Sequence, residues 1–170
     1  MRLFIAVQLN QEMKNALITM QNDLYDAGIR GNYTFEENLH MTLAFIGEYE
    51  PDPVSEILES ISFDPFLLSL TGIGSFGNLW WAGFCDTPEL ETLVKRIRRA
   101  LSDAGIPFDR KKFRPHATLL RNASAAVFPQ IEIPDVSMQV SEISLMRSER
   151  GKHGMKYTEV QSIEADFPGC

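Results

Sequence analysis

One short pattern occurs twice in this chain: Leu39-His40-Met41-Thr42-Leu43 and, 76 residues further on, Pro115-His116-Ala117-Thr118-Leu119. Around the first, Leu39, Met41, Leu43 and Phe45 alternate with His40, Thr42, Ala44 and Ile46, which is the period of a strand with one strongly apolar face. Around the second, Phe113, Pro115, Ala117 and Leu119 alternate with His116, Thr118 and Leu120. Side chains two apart share a face of a strand, so each pattern sets an imidazole beside a hydroxyl, opposite the core side. Two such strands facing one cleft would bring two imidazoles and two hydroxyls to one centre. That inventory suits acid–base chemistry on a phosphate ester, because a neutral ring can take a proton while a protonated one gives another.

The neighbouring elements follow from the same reading. Leu3 to Gln8 reads as a strand, and Asn10 caps a helix from Gln11 to about Ala27, stopped by Gly28, with Met13, Ala16, Leu17, Met20, Leu24 and Ala27 as its apolar stripe. Asp52-Pro53 reads as the cap and first residue of a short helix carrying Val54, Ile57, Leu58 and Ile61. Phe66 to Thr71 and Leu79 to Cys85 read as strands flanking a glycine-rich turn. Thr87-Pro88 opens a second long helix that runs to about Ala104 and stops at Gly105, with Leu90, Leu93, Val94, Ile97 and Leu101 inward. Ser137 to Met146 and Met155 to Glu164 form a hairpin pair around the polar turn Arg147 to Gly154. Each half thus holds one long helix and one His-x-Thr strand, and no linker or composition break divides the chain. The expected fold class is α+β, a single bilobal domain over 1–170 with two antiparallel sheets, backed by helices and related by pseudo-two-fold symmetry about a central cleft.

Composition narrows the classes of function. With 170 residues, 44% of them hydrophobic, the chain can bury a sizeable core. The apolar run after Arg2 is only five residues long, too short for a signal-peptide core or a membrane span. Cys85 and Cys170 show no metal-binding spacing and no disulfide framework, so a cytoplasmic location is expected. A net charge of −7 argues against a general nucleic-acid coat, yet basic residues cluster at Lys95, Arg96, Arg98 and Arg99, and again at Arg110, Lys111, Lys112 and Arg114, just before the second histidine. Local field rather than net charge guides an anion, which makes Arg110, Lys111, Lys112 and Arg114 candidates for steering a substrate.

Other motifs carry less. Gly72 to Gly77 spells GxGxxG, but a dinucleotide fingerprint requires a helix to follow, and Leu79 to Phe84 reads as a strand. Phe76, Trp80 and Trp81 could form core or a base-binding surface. His153 reads as an exposed turn residue. Neither histidine frame has the spacing of a zinc motif, Glu37 and Asp109 nearby do not supply it, and no G-x-S-x-G elbow is present.

Taken with their flanks, these segments resemble a known family: Arg2-Leu3-Phe4-Ile5-Ala6-Val7, Glu37-Asn38-Leu39-His40-Met41-Thr42-Leu43-Ala44-Phe45-Ile46-Gly47, Gly72 to Phe76, Phe113-Arg114-Pro115-His116-Ala117-Thr118-Leu119-Leu120-Arg121, and Ile143-Ser144-Leu145-Met146 with Tyr157. The family is the 2H phosphoesterases, and within them the RNA 2′,3′-cyclic phosphodiesterases historically called 2′-5′ RNA ligases. The resemblance implies hydrolysis of a terminal RNA 2′,3′-cyclic phosphate to a 2′-phosphomonoester without metal or cofactor, and the reverse joining of ends through a 2′-5′ bond. It implies that His40 is the proton donor to the departing 3′ oxygen, His116 the proton acceptor from water, and that Thr42, Thr118 and Arg121 hold the phosphate oxygens. The implied partners are RNA 3′ ends bearing a cyclic phosphate, such as tRNA fragments, met by a monomer away from membranes. Strict alternation turns Arg121 away from His116, so its role requires a bend, a bulge or a strand end near Leu120. At Asn32-Tyr33-Thr34 the chain departs from the family's basic residue and tryptophan, leaving Tyr33 as a stacking face. Three alternatives stand beside this reading: a phosphodiesterase for small cyclic nucleotide esters, one for 2′-5′ oligonucleotides, and a non-catalytic module that binds RNA ends.

Overall fold

The computed structural model describes residues 1–166, and Cys170 lies outside them. In chain order the elements are β1 (Arg2–Gln8), α1 (Gln11–Asp26), β2 (Asn32–Tyr33), β3 (His40–Glu48), α2 (Pro51–Glu59), β4 (Phe66–Phe76), β5 (Leu79–Phe84), α3 (Pro88–Asp103), β6 (His116–Arg121), β7 (Ser137–Val140), β8 (Glu142–Gly151) and β9 (Gly154–Glu164). The helices begin where cap chemistry dictates. The Asn10 side chain accepts the Met13 N–H at 2.8 Å, and the Thr87 hydroxyl accepts that of Leu90 at 3.3 Å. α3 buries the five residues its periodicity assigns inward. α2 starts two residues earlier than expected, because Pro51 already supplies the fixed φ of a first turn; Glu50 is its cap residue and Asp52 lies inside that turn.

Two antiparallel sheets form, ordered β3-β1-β8-β9 and β2-β6-β5-β4-β7. Each carries one His-x-Thr strand, as expected of a bilobal α+β fold, but the lobes are not the two halves of the chain. β1 and β3 share a sheet with the last two strands. α1 packs on β6 and β7 of the other sheet, while α2 and α3 pack on the sheet of β3, β8 and β9. One apolar cluster runs through Leu3, Ile5 and Met41 of the first sheet, Leu68, Ala82 and Leu119 of the second, and Leu17 and Ile97 of the helices. None of the described helices is long and apolar enough to cross a membrane.

Three strand boundaries differ from the sequence reading, each for a local reason. Ser137 to Met146 is two strands, because the chain leaves the second sheet at Ser141 and enters the first. β8 and β9 stay paired to Gly151 and Gly154, which shrinks the expected long turn to Lys152 and His153. Gly72 to Phe76 is strand rather than turn. Glycine is required at 74 because the Trp81 indole lies on the backbone there, where a Cβ would sit 2.3 Å from the ring. That packing accounts for the middle glycine of the GxGxxG string, and the last, Gly77, has a positive φ at the turn between β4 and β5.

Both histidine strands are bulged at the same place. Between β1 and β3 the pairing passes from Ile5–Ala44 to Ala6–Thr42, skipping Leu43. Between β5 and β6 it passes from Trp80–Leu120 to Trp81–Thr118, skipping Leu119. An extra residue reverses the alternation beyond it. In β3, Leu43 and Ala44 are consecutively buried and Phe45 swings out, 37% exposed, although plain alternation puts it in the core. In β6, Leu119 and Leu120 are buried and Arg121 turns onto the face of His116 and Thr118.

A bulge frees a backbone carbonyl, and a buried carbonyl must find a donor. The Leu119 carbonyl accepts the Thr34 N–H and the Gln21 side-chain amide, both at 2.9 Å, and Gln21 also donates to the Thr34 carbonyl at 2.9 Å. Gln21 is thus a buried polar residue set in the apolar stripe of α1. Replacing it by methionine keeps the volume and removes both amide bonds. The expected cost is roughly 1–3 kcal/mol, read as a lowered urea midpoint; an unchanged midpoint would show that the amide does not hold the bulge.

Candidate active site

β3 and β6 come into contact where the two sheets meet, which brings the two histidine frames together. Each ring is tethered in the same way. His40 Nδ1 lies 2.7 Å from the Asn38 carbonyl, and His116 Nδ1 lies 2.6 Å from the Arg114 carbonyl, in each case two residues back. A carbonyl only accepts, so Nδ1 carries the hydrogen and a neutral ring presents a bare Nε2. His40 Nε2 is 2.9 Å from the Thr42 hydroxyl, and Thr118 stands half-buried two residues after His116.

Aromatic rings hold both imidazoles from the sides. Phe4 and Tyr157 lie 5.0 and 5.1 Å from His40, centre to centre, and Phe76 and Trp81 lie 5.2 and 5.7 Å from His116. This packing desolvates the rings, and burial is the largest cause pushing both their pKa values below the usual histidine value. The backbone carbonyl on each ring works against burial. The Arg121 guanidinium adds to it at both rings, and the charge of His116 adds to it at His40. Arg121 therefore sits within electrostatic reach of the two histidines together. Gly31 lets β2 approach closely here, since a Cβ would fall 2.7 Å from the Arg121 carbonyl oxygen.

A cleft of about 620 Å³ opens beside this centre, lined by Thr42, Phe45, Phe76, Leu79, Arg98, Lys111, Lys112, Phe113, Arg114 and His116 among others. Of the basic segment, Lys111, Lys112 and Arg114 thus face the cleft. Arg110 does not line it; its guanidinium lies 4.5 Å from the centre of the Phe108 ring. The aromatics divide: Trp80 is buried in the core against Phe128, while Trp81 and Phe76 flank His116. Tyr33 packs against the core and its hydroxyl donates to the Ile29 carbonyl at 2.9 Å, so it is not a free stacking face. His153 is exposed in its turn.

The sequence reading missed Phe45 and Arg98 as cleft residues. It also missed a polar cluster on the His40 side. Gln8, paired with His40 across β1 and β3, donates to Ser144 Oγ and to Glu159 Oε1, both at 3.0 Å, and Ser144 donates to Glu159 at 2.7 Å. Alternation along β1 and β9 held the signal, since Gln8 continues the Phe4 and Ala6 face and Glu159 that of Tyr157. Among the described residues no group of three or more His, Cys, Asp and Glu is gathered as a metal ion would need.

The chain and its fold have close counterparts. RNA 2′,3′-cyclic phosphodiesterase of Thermotoga maritima is 29% identical over 99% of this chain and 97% of its own length. The Escherichia coli protein of the same name is 29% identical over 94% of each chain. The crystal structure of E. coli LigT complexed with 3′-AMP superposes with a TM-score of 0.86 at 29% identity, covering 96% of this chain and 97% of that one. A Thermus thermophilus structure, TT0787, gives 0.81 at 28% identity, again over 96% and 97%. Residues 6–152, which include both frames, both bulges and the basic segment, match the 2′-5′ RNA ligase superfamily, and the chain belongs to that family.

Proposed function

We propose that the protein hydrolyses a terminal RNA 2′,3′-cyclic phosphate to a 2′-phosphomonoester by two-histidine acid–base catalysis that needs no metal. The observation that carries this reading is the matched setting of the two rings. Each is pinned through Nδ1 to a carbonyl two residues back, leaving Nε2 for proton transfer, with Arg121 acting on both. The relatives named RNA 2′,3′-cyclic phosphodiesterase support the substrate class.

In the proposed step a water oxygen attacks phosphorus and passes its proton to His116 Nε2. The P–O3′ bond breaks, and His40 Nε2 gives its proton to the departing 3′ oxygen. Negative charge grows on the two non-bridging oxygens, where Arg121 and the Thr42 and Thr118 hydroxyls are fixed donors; donors set in advance at the place where charge develops are the usual main source of rate. Lys111, Lys112 and Arg114 at the cleft raise the local concentration of an anionic RNA despite the protein's net charge of −7.

The direct test is turnover of a short RNA ending in a 2′,3′-cyclic phosphate, with a chelator present. His40→Ala and His116→Ala are each expected to lower the rate by roughly 10² to 10⁴, the span for losing a general acid or base. A 3′-phosphate as product, or full activity in either variant, would overturn the scheme.

The pH dependence of kcat/KM reports the free enzyme. Both rings have lowered pKa values, so both are neutral at pH 7, and the form with one proton between them accumulates only as pH falls. The expected profile is a bell with its maximum below pH 6.5, the ordinary histidine value. Arg121→Gln removes a cation that lowers both pKa values. It is expected to reduce kcat/KM and to move the maximum upward in pH; a maximum that stays in place would separate Arg121 from the two rings.

A further inference from the structure

We propose that Gln8, Ser144 and Glu159 form a site for the terminal base of the RNA and select that base by the hydrogens on its Watson–Crick edge. The inference rests on the hydrolytic reading above and adds to it which nucleoside carries the cyclic phosphate. In that reading water enters on the His116 side of phosphorus and the 3′ oxygen leaves on the His40 side, so the ribose and its base lie over the sheet of β1, β3, β8 and β9. The cluster stands on that side. Directly opposed residues of neighbouring strands share a face: Thr42, Ala6 and Ser144 make one row across β3, β1 and β8, and His40 and Gln8 make the next. Two strand spacings, about 10 Å, separate Thr42 from Ser144, a span that one nucleoside bridges.

The cluster is built from the inside outward. Ser144 is 1% exposed, whereas Gln8 and Glu159 are exposed. The buried hydroxyl accepts one Gln8 amide hydrogen and donates to Glu159 Oε1, and the second Gln8 hydrogen goes to the same carboxylate oxygen. All three side-chain hydrogens are thus used inside the cluster, and a carboxylate has none to give. A ligand is left with two acceptors, the Gln8 carbonyl oxygen and Glu159 Oε2, which the buried hydroxyl holds in place before any RNA arrives.

Beyond them a hollow of about 220 Å³ opens between the end of β1 and the crossover from β7 to β8, lined by Gln8, Asn10, Gln139, Ser141, Glu142 and Ser144 among others, with no Lys or Arg among the described residues that line it. At about 30 Å³ per water, it has room for a base. The cleft on the His116 side carries cations and this hollow carries none, which fits the first to phosphates and the second to an uncharged base. Single-stranded RNA is read on the Watson–Crick edges of its bases. Guanine turns two adjacent donors, N1–H and the 2-amino group, toward such a pair of acceptors. Adenine and cytosine turn one amino group, and uracil turns a single N–H between two carbonyls that the carboxylate repels.

The test is a set of four short RNAs, alike except for the terminal nucleoside that bears the 2′,3′-cyclic phosphate, compared by kcat/KM. The guanosine end is expected to exceed the uridine end about tenfold, the discrimination of one bidentate pair. Glu159→Gln, which replaces the free carboxylate, and Ser144→Ala, which unfastens it, are each expected to bring that ratio to within about twofold of one. An unfolding midpoint near that of the intact protein shows that a variant is folded, and Glu159→Gln, at an exposed position, carries the test if Ser144→Ala does not fold. Equal rates on the four ends, a preference for uridine, or a ratio untouched by Glu159→Gln overturns the proposal. So does an equal loss on all four ends, which would assign the cluster to holding His40 rather than a base. If the intact protein consumes none of the four, the hydrolytic reading falls, and the affinities for 2′-GMP and 2′-UMP decide the base site on their own: tighter binding of 2′-GMP that Glu159→Gln abolishes sustains it, and equal binding overturns it.

Discussion

The candidate centre depends on the leucine inserted just after the threonine in each histidine strand. A regular strand would hold His and Thr on one face and the residue five places after the histidine on the other, so Phe45 and Arg121 would both point into the core. Burying a guanidinium there without a partner would cost several kcal/mol. Skipping Leu43 in one ladder and Leu119 in the other reverses the phase, which delivers Phe45 to the cleft and Arg121 to the face of His116 and Thr118. The bulges persist because the carbonyls around them find donors from other elements: Gln21 of α1 and Thr34 at Leu119, Asp109 at Phe45. Core packing and site geometry therefore meet in a few backbone hydrogen bonds.

Tethering and burial set the chemistry of the rings. A carbonyl on Nδ1 fixes the tautomer and favours the protonated form; burial among Phe4, Tyr157, Phe76 and Trp81 disfavours it more strongly, with Arg121 in support. Either ring can then take a proton, and neither holds one firmly. An anionic phosphate arriving between them shifts that balance back, because opposite charge favours the imidazolium. In the proposed scheme the substrate thereby helps to charge the acid that cleaves it.

The elements of the fold were legible in the sequence and their partners were not. Period two at His40 and His116, and helical spacing at Leu90 to Leu101, report burial directly, and caps such as Asn10 and Thr87 mark where helices begin. Which strand lies beside which depends on contacts far apart in the chain, so the two halves read as two lobes although β8 and β9 complete the sheet of β1 and β3. The same limit hid Gln21, a polar residue in an apolar stripe whose partners lie on another sheet. It also hid the reason for Gly74, which only the position of Trp81 explains. Arg121 marks the boundary case: alternation showed that its role needed a bulge, and only the ladder showed where the bulge falls.

The two strands are alike up to the bulge and differ just after it, and that difference gives the site a direction. His-x-Thr-Leu repeats with the same tether and the same skipped leucine, which by itself would make the two rings interchangeable. Beyond it, one strand ends in a guanidinium that acts on both rings. The other turns the Phe45 ring toward a cleft that Lys111, Lys112 and Arg114 also line. In the proposed scheme that guanidinium stabilises the phosphoryl charge whichever way a proton moves. The asymmetry of a nearly symmetric centre thus lies in what flanks the two rings rather than in the rings themselves.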